Sequence, residues 1–278
     1  MKKKRLGLFI ISILLLGLYQ LPQASNDRNW TADQKIMTTV LMDEGSEIMI
    51  KNIRNFSYRA EMDYDRNYYD KVVNLDELVS VDFILSRFAD WQGAAHAFLS
   101  FGFQGKEKTE YVSVSVEIRK EEGEEYSPFK GLLKQYELNY VVADERDVIR
   151  LRTNIREEPL YIFPIQTSKE NMQALFRSIM LRIQKLETEP EFYNTMTSSC
   201  MTNIVDHVND IAPKTIPWSY KIVFPGYSDE VAYELGFVDT SVSLEELRAR
   251  YLVNELAMEY GDGEAFSQVI RRKVSEKH

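Results

Sequence analysis

The sequence is poor in the two side chains that most often bind zinc or cross-link a chain. Cys200 is its only cysteine, so no disulfide can form within the chain. The three histidines are His96, His207 and the terminal His278. This small set does not supply the four soft ligands of a cysteine and histidine zinc cage. We therefore expect no internal disulfide, no metal and no cofactor.

Glycine, proline and positive charge are also scarce. The 278 residues include 12 glycines and 8 prolines. No stretch rich in them, of the kind that links two domains, occurs between Asn52 and Phe237. Lysine and arginine number 34 against 43 acidic residues, which gives a formal charge of −9. Because an acidic surface repels a phosphate backbone, the composition argues against a nucleic-acid partner. Hydrophobic residues make up 44% of the chain, enough for a packed core.

The positive charge that is present begins with a cluster at the N-terminus. Residues 2–5 are Lys-Lys-Lys-Arg, and no charged residue follows until Asp27. A basic start before an apolar run is typical of a signal peptide or a signal anchor. About twenty apolar residues can span a bilayer as a helix, and the residues around Ala24 and Ser25 make a poor cleavage site. We predict a signal anchor or signal peptide over residues 1–25 and an extracytoplasmic catalytic domain over residues 26–278.

Hydrophobic periodicity predicts an α+β fold behind this N-terminal hydrophobic helix. Alternating residues predict strands, and apolar residues at helical spacing predict helices. The predicted strands are Ala95–Phe103, Tyr111–Arg119, Gln135–Val142, Val148–Arg152 and Pro159–Phe163. The predicted helices are Lys169–Glu187, capped by Thr167 and Glu170, then Ser199–Asn209, then a third from Ser243 to Tyr260. Strands in the middle and helices late indicate helices packed on an antiparallel sheet.

Cys200 is the first candidate for chemistry. It follows Ser199 at the start of a predicted amphipathic helix. The N-terminus of a helix carries partial positive charge and unpaired N–H groups, which favour a thiolate and can receive an oxyanion. We therefore expect a lowered thiol pKa and a nucleophilic role. The alternative is a small buried hydrophobic residue, which is the usual role of a single cysteine.

A thiol nucleophile needs a base within hydrogen-bonding distance. His207 is two helical turns beyond Cys200, about 10 Å along the axis, so we interpret it as a surface or structural residue. His96 lies between Ala95 and Ala97 on a predicted strand and is the candidate general base and acid.

Strand pairing supplies a third candidate. If residues 105–108 form the loop of a hairpin, Gln104 faces Thr109 and His96 faces Glu117 on the same side of the sheet. Glu117 would then orient the imidazole and stabilise its charged form. A slip of one residue in the pairing would separate the two faces. Glu117 could instead be a solvated residue or a partner of Arg119.

Several segments resemble the motifs of one family. They are Asn52–Tyr58, Ala95–Phe101, Ser115–Arg119, Gly123-Glu124, Gly131–Glu137, Asp144–Arg152, Pro190–Asn194 and Pro225–Asp229. In order and spacing they resemble the extracytoplasmic domain of the Lnb-type lipoprotein intramolecular transacylases. The resemblance covers residues 52–237. It departs at the nucleophile, where Ser199-Cys200-Met201 stands in place of an expected Asn-Cys-Thr.

The resemblance implies a circularly permuted papain-like fold with Cys200 and His96 at its catalytic positions. It also implies the reaction: an acyl chain moves from the diacylglyceryl group of a lipoprotein's N-terminal cysteine to the α-amino group, through a thioester on Cys200. The partners would be diacylated bacterial lipoproteins and membrane lipid. A cysteine-dependent acyltransferase at the cell membrane, with its catalytic domain on the extracytoplasmic face, is therefore the leading hypothesis.

Three other functions remain open from the sequence. A peptidoglycan amidase or endopeptidase could use the same thiol and imidazole, and so could a lipid hydrolase. A membrane-anchored binding module would use Cys200 and His96 only for packing.

Overall fold

The computed structural model describes residues 23–212 and 216–272. The predicted N-terminal hydrophobic helix therefore lies outside the described residues, apart from positions 23–25. Within the described ranges, no helix combines the length and apolar character needed to cross a bilayer. The architecture is α+β, with helices against a sheet whose pairs are mainly antiparallel.

Ten strands are present in the described residues. They are β1 (Thr39–Met42), β2 (Glu47–Arg54), β3 (Ser57–Ala60), β4 (Asp63–Asp65), β5 (Tyr68–Asn74), β6 (Leu78–Arg87), β7 (Ala95–Gln104), β8 (Thr109–Arg119), β9 (Glu137–Ala143) and β10 (Leu160–Pro164).

Nine α-helices accompany them in the same ranges. They are α1 (Pro128–Leu132), α2 (Glu145–Arg150), α3 (Lys169–Thr188), α4 (Cys200–Ile211), α5 (Tyr220–Val223), α6 (Ser228–Glu234), α7 (Leu244–Tyr251), α8 (Asn254–Tyr260) and α9 (Phe266–Val269).

Eight of the strands form one sheet, in the order β1-β2-β9-β8-β7-β6-β10, with β5 paired to β2. The pair β2 and β9 is parallel, through Arg54 and Ala143, and the other pairs of this sheet are antiparallel. Strands β3 and β4 form a separate hairpin.

The two faces of the sheet bury different sets of side chains. On β7, Ala95, Ala97 and Leu99 belong to the core shared with α3 and α4, and this core includes Cys200. Phe98 belongs to a second core with α2, β10, α8 and α9. Because successive side chains of a strand point to opposite faces, His96 shares the face of Phe98.

The strand predicted over Val148–Arg152 is wrong. Residues 145–150 form α2, and residues 151–155 continue it as a π-helical turn. The Asp144 side chain accepts a hydrogen bond from the backbone N–H of Arg146 and begins the helix. Asp147 is fully buried, where it accepts two hydrogen bonds of 2.9 Å from Arg54. This long-range ion pair favours a helix where the apolar residues alone suggested a strand.

The late helices are largely as predicted. The long helix ends at Thr188, but its N-cap is Ser168 rather than Thr167, because the Ser168 side chain accepts from the N–H of Asn171. The third predicted helix is two helices, α7 and α8, interrupted at residues 252–253. There the N–H of Val253 donates to the carbonyl of Leu160, so the chain pairs with β10 instead of continuing the helix.

Candidate active site

Cys200 is the first residue of α4, as predicted. The Ser199 side chain accepts from the N–H of Thr202, and the Thr202 hydroxyl accepts from the N–H of Ser199. This reciprocal capping box makes Ser199 the N-cap, so that the helix begins at the cysteine. Cys200 is therefore held in the first turn, where backbone N–H groups lack partners within the helix.

The sulfur of Cys200 lies among three backbone donors. The backbone N–H groups of Ala97 on β7, of Met201 and of Cys200 itself lie near enough to the thiol to favour its charged form. The pairing of β7 with β8 runs from Gln104 and Thr109 to Leu99 and Val114. Ala97 lies past the last of these pairs, so its N–H is available to the thiol. The sulfur consequently sits beside the peptide bond between His96 and Ala97.

The expected lowering of the thiol pKa is wrong for the free protein. Cys200 is only 6% exposed, and burial raises its pKa. The three N–H groups lower the thiol pKa, as the helix N-terminus was expected to do. The nearby negative charge of Glu117 raises it further. Desolvation of the charged form outweighs these donors. The resting group is a neutral thiol at neutral pH.

His96 lies on β7 opposite Ser86 of β6, and its ring stacks on Phe98 with 5.6 Å between ring centroids. Its Nε2 is 2.6 Å from the Ser115 hydroxyl oxygen. The Ser115 hydroxyl donates in turn to a carboxylate oxygen of Glu117, at 2.9 Å. His96, Ser115 and Glu117 thus form a connected chain on one face of the sheet.

The hydrogen bonds that connect His96, Ser115 and Glu117 determine which nitrogen of His96 holds the proton. Glu117 is an anion and can only accept, so the single hydrogen of Ser115 is used in the bond to Glu117. The Ser115 oxygen must then accept from Nε2, which therefore carries the ring proton. Nδ1 is left with a free lone pair, and no hydrogen bond to it occurs within the described residues. A base with its proton fixed on the far nitrogen is what proton transfer from a thiol requires.

The surroundings keep Glu117 charged and His96 neutral. Burial would raise the pKa of Glu117, but Arg54 and Arg152 hold it at about 2. The guanidinium of Arg152 is 3.6 Å from Glu117, and the amide of Gln34 donates to the other carboxylate oxygen at 3.1 Å. Burial, and then the charge of Arg152, lower the pKa of His96 to about 3, while Glu117 acts to raise it.

The predicted hairpin register is confirmed from Gln104 and Thr109 to Leu99 and Val114. His96 and Glu117 share a face, but Ser115 lies between them. The sequence analysis missed Ser115. It is the diagonal neighbour of His96 in the predicted register, and such neighbours on adjacent strands are within reach of each other.

The thiol and the imidazole approach the end of β7 from different directions. Cys200 belongs to the core on the face of Ala97, whereas His96 points to the face of Phe98 and Ser115. Among the described residues no hydrogen bond joins His96 to Cys200. The Ala97 backbone, at the end where β7 and β8 cease to pair, lies near the sulfur and directly follows His96 in the chain.

His207, set aside from the sequence, is a structural residue and not a surface one. It is buried, with Nε2 3.0 Å from the Tyr140 hydroxyl and Nδ1 2.8 Å from the Ser178 hydroxyl. Both ring nitrogens are thus engaged in the contact of α4 with β9 and α3. Over residues 23–212 and 216–272, no group of three or more His, Cys, Asp and Glu is placed to hold a metal ion.

Exposed apolar side chains flank the segments that lead into the site. Phe129 and Leu133 are 77% and 68% exposed. They lie in and beside α1, which is bound to the loop before Cys200 through a hydrogen bond of 2.8 Å from Thr195 to the carbonyl of Pro128. In the loop before His96, Trp91 packs edge-on against Phe224, with 5.1 Å between centroids.

The loop before His96 is held by a close backbone contact. The N–H of Gly226 donates to the carbonyl of Gly93, and a Cβ at Gly226 would lie 1.6 Å from the carbonyl oxygen of Gln92. Only glycine fits at this contact. The adjacent Asp229 is buried and accepts from Arg248 at 2.7 Å and from Arg87 at 3.3 Å. The Pro225–Asp229 segment therefore fixes the start of β7.

Comparison with known proteins gives one match. A family model described as the Lnb N-terminal periplasmic domain matches residues 64–226, more than half of the chain. The matched range contains His96, Ser115, Glu117 and Cys200. No curated protein and no solved structure matches the chain.

Proposed function

Because the chain belongs to the family of the Lnb N-terminal periplasmic domain, we propose that it is a cysteine-dependent lipoprotein transacylase. The family description places the domain outside the cytoplasm. The proposal assigns residues 26–278 to a catalytic domain with a circularly permuted papain-like fold, which residues 1–25 attach to or export across the membrane. The substrates would be diacylated lipoproteins of the cell membrane. The observation that carries the proposal is the buried thiol at the start of α4, near the backbone N–H of Ala97, which directly follows a histidine with a fixed tautomer.

The first half of the reaction transfers the acyl chain to the enzyme. Nδ1 of His96 takes the thiol proton, and the sulfur of Cys200 attacks an ester carbonyl of the diacylglyceryl group. The carbonyl π electrons move to oxygen. When they return, the bond to the glyceryl oxygen breaks and that oxygen takes the proton from His96. The products are an acyl thioester on Cys200 and a free glyceryl hydroxyl.

The second half returns the chain to the lipoprotein. The α-amino group of the lipoprotein's N-terminal cysteine attacks the thioester carbonyl, and His96 accepts one amine proton. The carbon–sulfur bond breaks, the sulfur leaves as a thiolate, and His96 returns the proton to it. The product is an N-acylated lyso-form lipoprotein. No oxidant, cofactor or water is consumed.

The backbone supplies the oxyanion donors in this mechanism. Ser199 replaces the expected amide residue before the nucleophile, and its hydroxyl is already used as the helix cap. The N–H groups of Cys200 and Met201 and that of Ala97 remain. Fixed N–H donors in a desolvated site stabilise developing negative charge strongly.

A neutral resting pair suits this chemistry. Since burial disfavours both the thiolate and the imidazolium, proton transfer must accompany attack on the bound ester, and the Glu117 charge then stabilises the imidazolium. The proposal also requires Nδ1 of His96 and the sulfur to come within hydrogen-bonding distance at the end of β7 while Nε2 keeps its contact with Ser115. Exclusion of water protects the thioester from hydrolysis. The exposed Phe129, Leu133 and Trp91 beside the site suit a substrate held in a membrane.

The test is mass spectrometry of a lipoprotein's N-terminal peptide after expression of the full chain or its variants. Cys200→Ala and His96→Ala should each abolish N-acyl lyso-form product while leaving the thermal unfolding transition in place. Wild-type turnover by either variant contradicts the mechanism. Release of free fatty acid in place of the amide would identify a lipid hydrolase, and cleavage of peptidoglycan stem peptides would identify a wall amidase.

A further inference from the structure

A cavity of about 370 Å³ lies between the sheet and the helices on the face of Cys200. Its inner walls are apolar side chains of β6, β7, α3, α4 and α6, among them Phe83, Leu99, Ile204 and Val231. At its outer end lie the exposed residues 166–168. Protein interiors rarely leave voids larger than a water molecule. A space of this size, in the range of small-molecule sites, is not an ordinary packing defect.

The cavity reaches the residue that follows the thiol in α4. Met201, the residue after Cys200, is part of its wall, and so is Leu99 of β7. Leu99 lies two residues along the strand from Ala97, whose N–H binds the sulfur, which is about 7 Å. From Met201 the wall follows α4 to Ile211, about 15 Å along the helix axis. The lining therefore extends from the residue beside the thiol along α4 to its C-terminal end.

Size and polarity identify the chemical class of the occupant. Taking a methylene group to be similar in volume to a liquid water molecule, about 30 Å³, the cavity takes about a dozen methylenes. The walls near Cys200 offer no charged group, and the polar residues are confined to the outer end and to Ser228. A linear alkyl chain matches this shape, whereas a sugar or a peptide would leave its polar groups unpaired.

We infer that this cavity holds one long acyl chain of the substrate, with its carbonyl end at Cys200. The inference rests on the proposed function for the identity of the reaction, but the binding itself needs no catalysis. Each methylene transferred from water contributes about a three- to fourfold gain in affinity. Filling the space of two methylenes should therefore weaken binding by about tenfold.

The test uses the full chain in dioleoylphosphatidylglycerol vesicles with palmitic acid that carries a diazirine near its methyl end. Cys200→Ala is included so that no thioester can form. After illumination, peptide mass spectrometry should place adducts on α4 residues that line the cavity, in wild type and in Cys200→Ala alike. Two variants fill the cavity from partly exposed positions, Val208→Trp and Leu235→Trp. Each should lower these adducts about tenfold.

The matched control is Leu181→Trp, because Leu181 is 50% exposed on α3 and does not line the cavity. Its adducts should equal those of wild type. Adducts on residues that do not line the cavity, or adducts that persist when both filling variants fold normally, overturn the inference. If one filling variant does not unfold cooperatively, the other is used. If neither does, the positions of the wild-type adducts alone decide whether the inference holds.

Competition separates the two sources of such a chain. A synthetic diacylated lipopeptide that lowers the adducts more than an equal amount of added phospholipid indicates a lipoprotein chain; equal effects indicate a site for membrane acyl chains in general. Adducts in the cavity without transacylation would contradict the proposed function and support the assignment of the cavity. Transacylation without such adducts would do the reverse.

Discussion

Removing the Ser115 hydroxyl tests whether the chain from Glu117 to His96 matters for proton transfer. In Ser115→Ala, the N–H at Nε2 of His96 loses the acceptor that lies 2.6 Å away. Glu117 loses the donor at 2.9 Å. The imidazole is then free to carry its proton on Nδ1, where it cannot accept one from the thiol.

The size of the effect follows from the bond that is lost. A buried polar group left without its partner costs about 1 to 3 kcal/mol. If this cost falls on the transition state, where the imidazole is charged, the rate of acyl transfer falls about 5- to 150-fold. KM should change little, because Ser115 does not face the proposed substrate cavity. Ser115→Thr keeps a hydroxyl and should recover part of the rate.

Ser113→Ala is the matched control for this experiment. Ser113 lies two residues away on the same face of β8 and is fully buried, and its hydroxyl has no hydrogen-bond partner in the described part of the chain. Its removal should leave the rate within about twofold of wild type, since surface and unpaired groups contribute little when deleted. The assay is single-turnover formation of the N-acyl product, with unfolding curves for both variants. Equal rates for Ser115→Ala and wild type would refute the relay from Glu117 to His96.

Three further predictions follow from the charges of the site. Glu117→Gln should slow acyl transfer about tenfold, less than loss of Cys200 or His96, because an amide oxygen can still accept from Ser115; unchanged single-turnover rates would remove Glu117 from the mechanism. Alkylation of Cys200 by iodoacetamide in the substrate-free protein should be slow at pH 7 and rise above the ordinary thiol pKa of about 8.5, since burial raises the pKa; rapid labelling near pH 6 would contradict this. Burial and Arg182 lower the pKa of His207 to about 4 in the folded protein. The contribution of the neutral side chain to stability is therefore complete above the pKa of histidine in the unfolded chain, and it is lost as the pH falls towards the folded pKa. Between pH 6 and 4.5, His207→Gln should reduce the slope of the unfolding free energy by about 1.4 kcal/mol per pH unit, measured by urea denaturation, and an unchanged slope would show that His207 is already charged.

Strong periodic patterns made parts of the fold predictable. The strands that became β7 and β8 alternate cleanly, and a four-residue loop set their register. The helix from Lys169 could be recognised from six apolar residues at helical spacing, all of which are buried, although its cap is one residue later than predicted. The strands before residue 87 were not predicted. Strands β3, β4 and β5 consist largely of polar residues and tyrosine. The position of β2 depends on pairing with β5 and with the distant β9.

Residues 148–152 show why the local pattern can mislead. Val148, Ile149 and Leu151 are apolar and suit either a strand or a helix. The choice was made by Asp144, which caps the helix, and by Asp147, whose carboxylate meets Arg54 from 93 residues away. Such a partner cannot be identified from spacing along the chain.

The sequence by itself determined which residues could do chemistry. With one thiol and two internal histidines, Cys200 and His96 were the available nucleophile and base, and the apolar periodicity placed the thiol in the first turn of a helix. Only the tertiary structure decided how they are arranged: on different faces of β7, with Ser115 carrying the contact from His96 to Glu117 and with an apolar cavity that reaches Met201. The pKa of the thiol was decided in the same way, because desolvation depends on what packs around a group, and packing brings together residues that the chain keeps far apart.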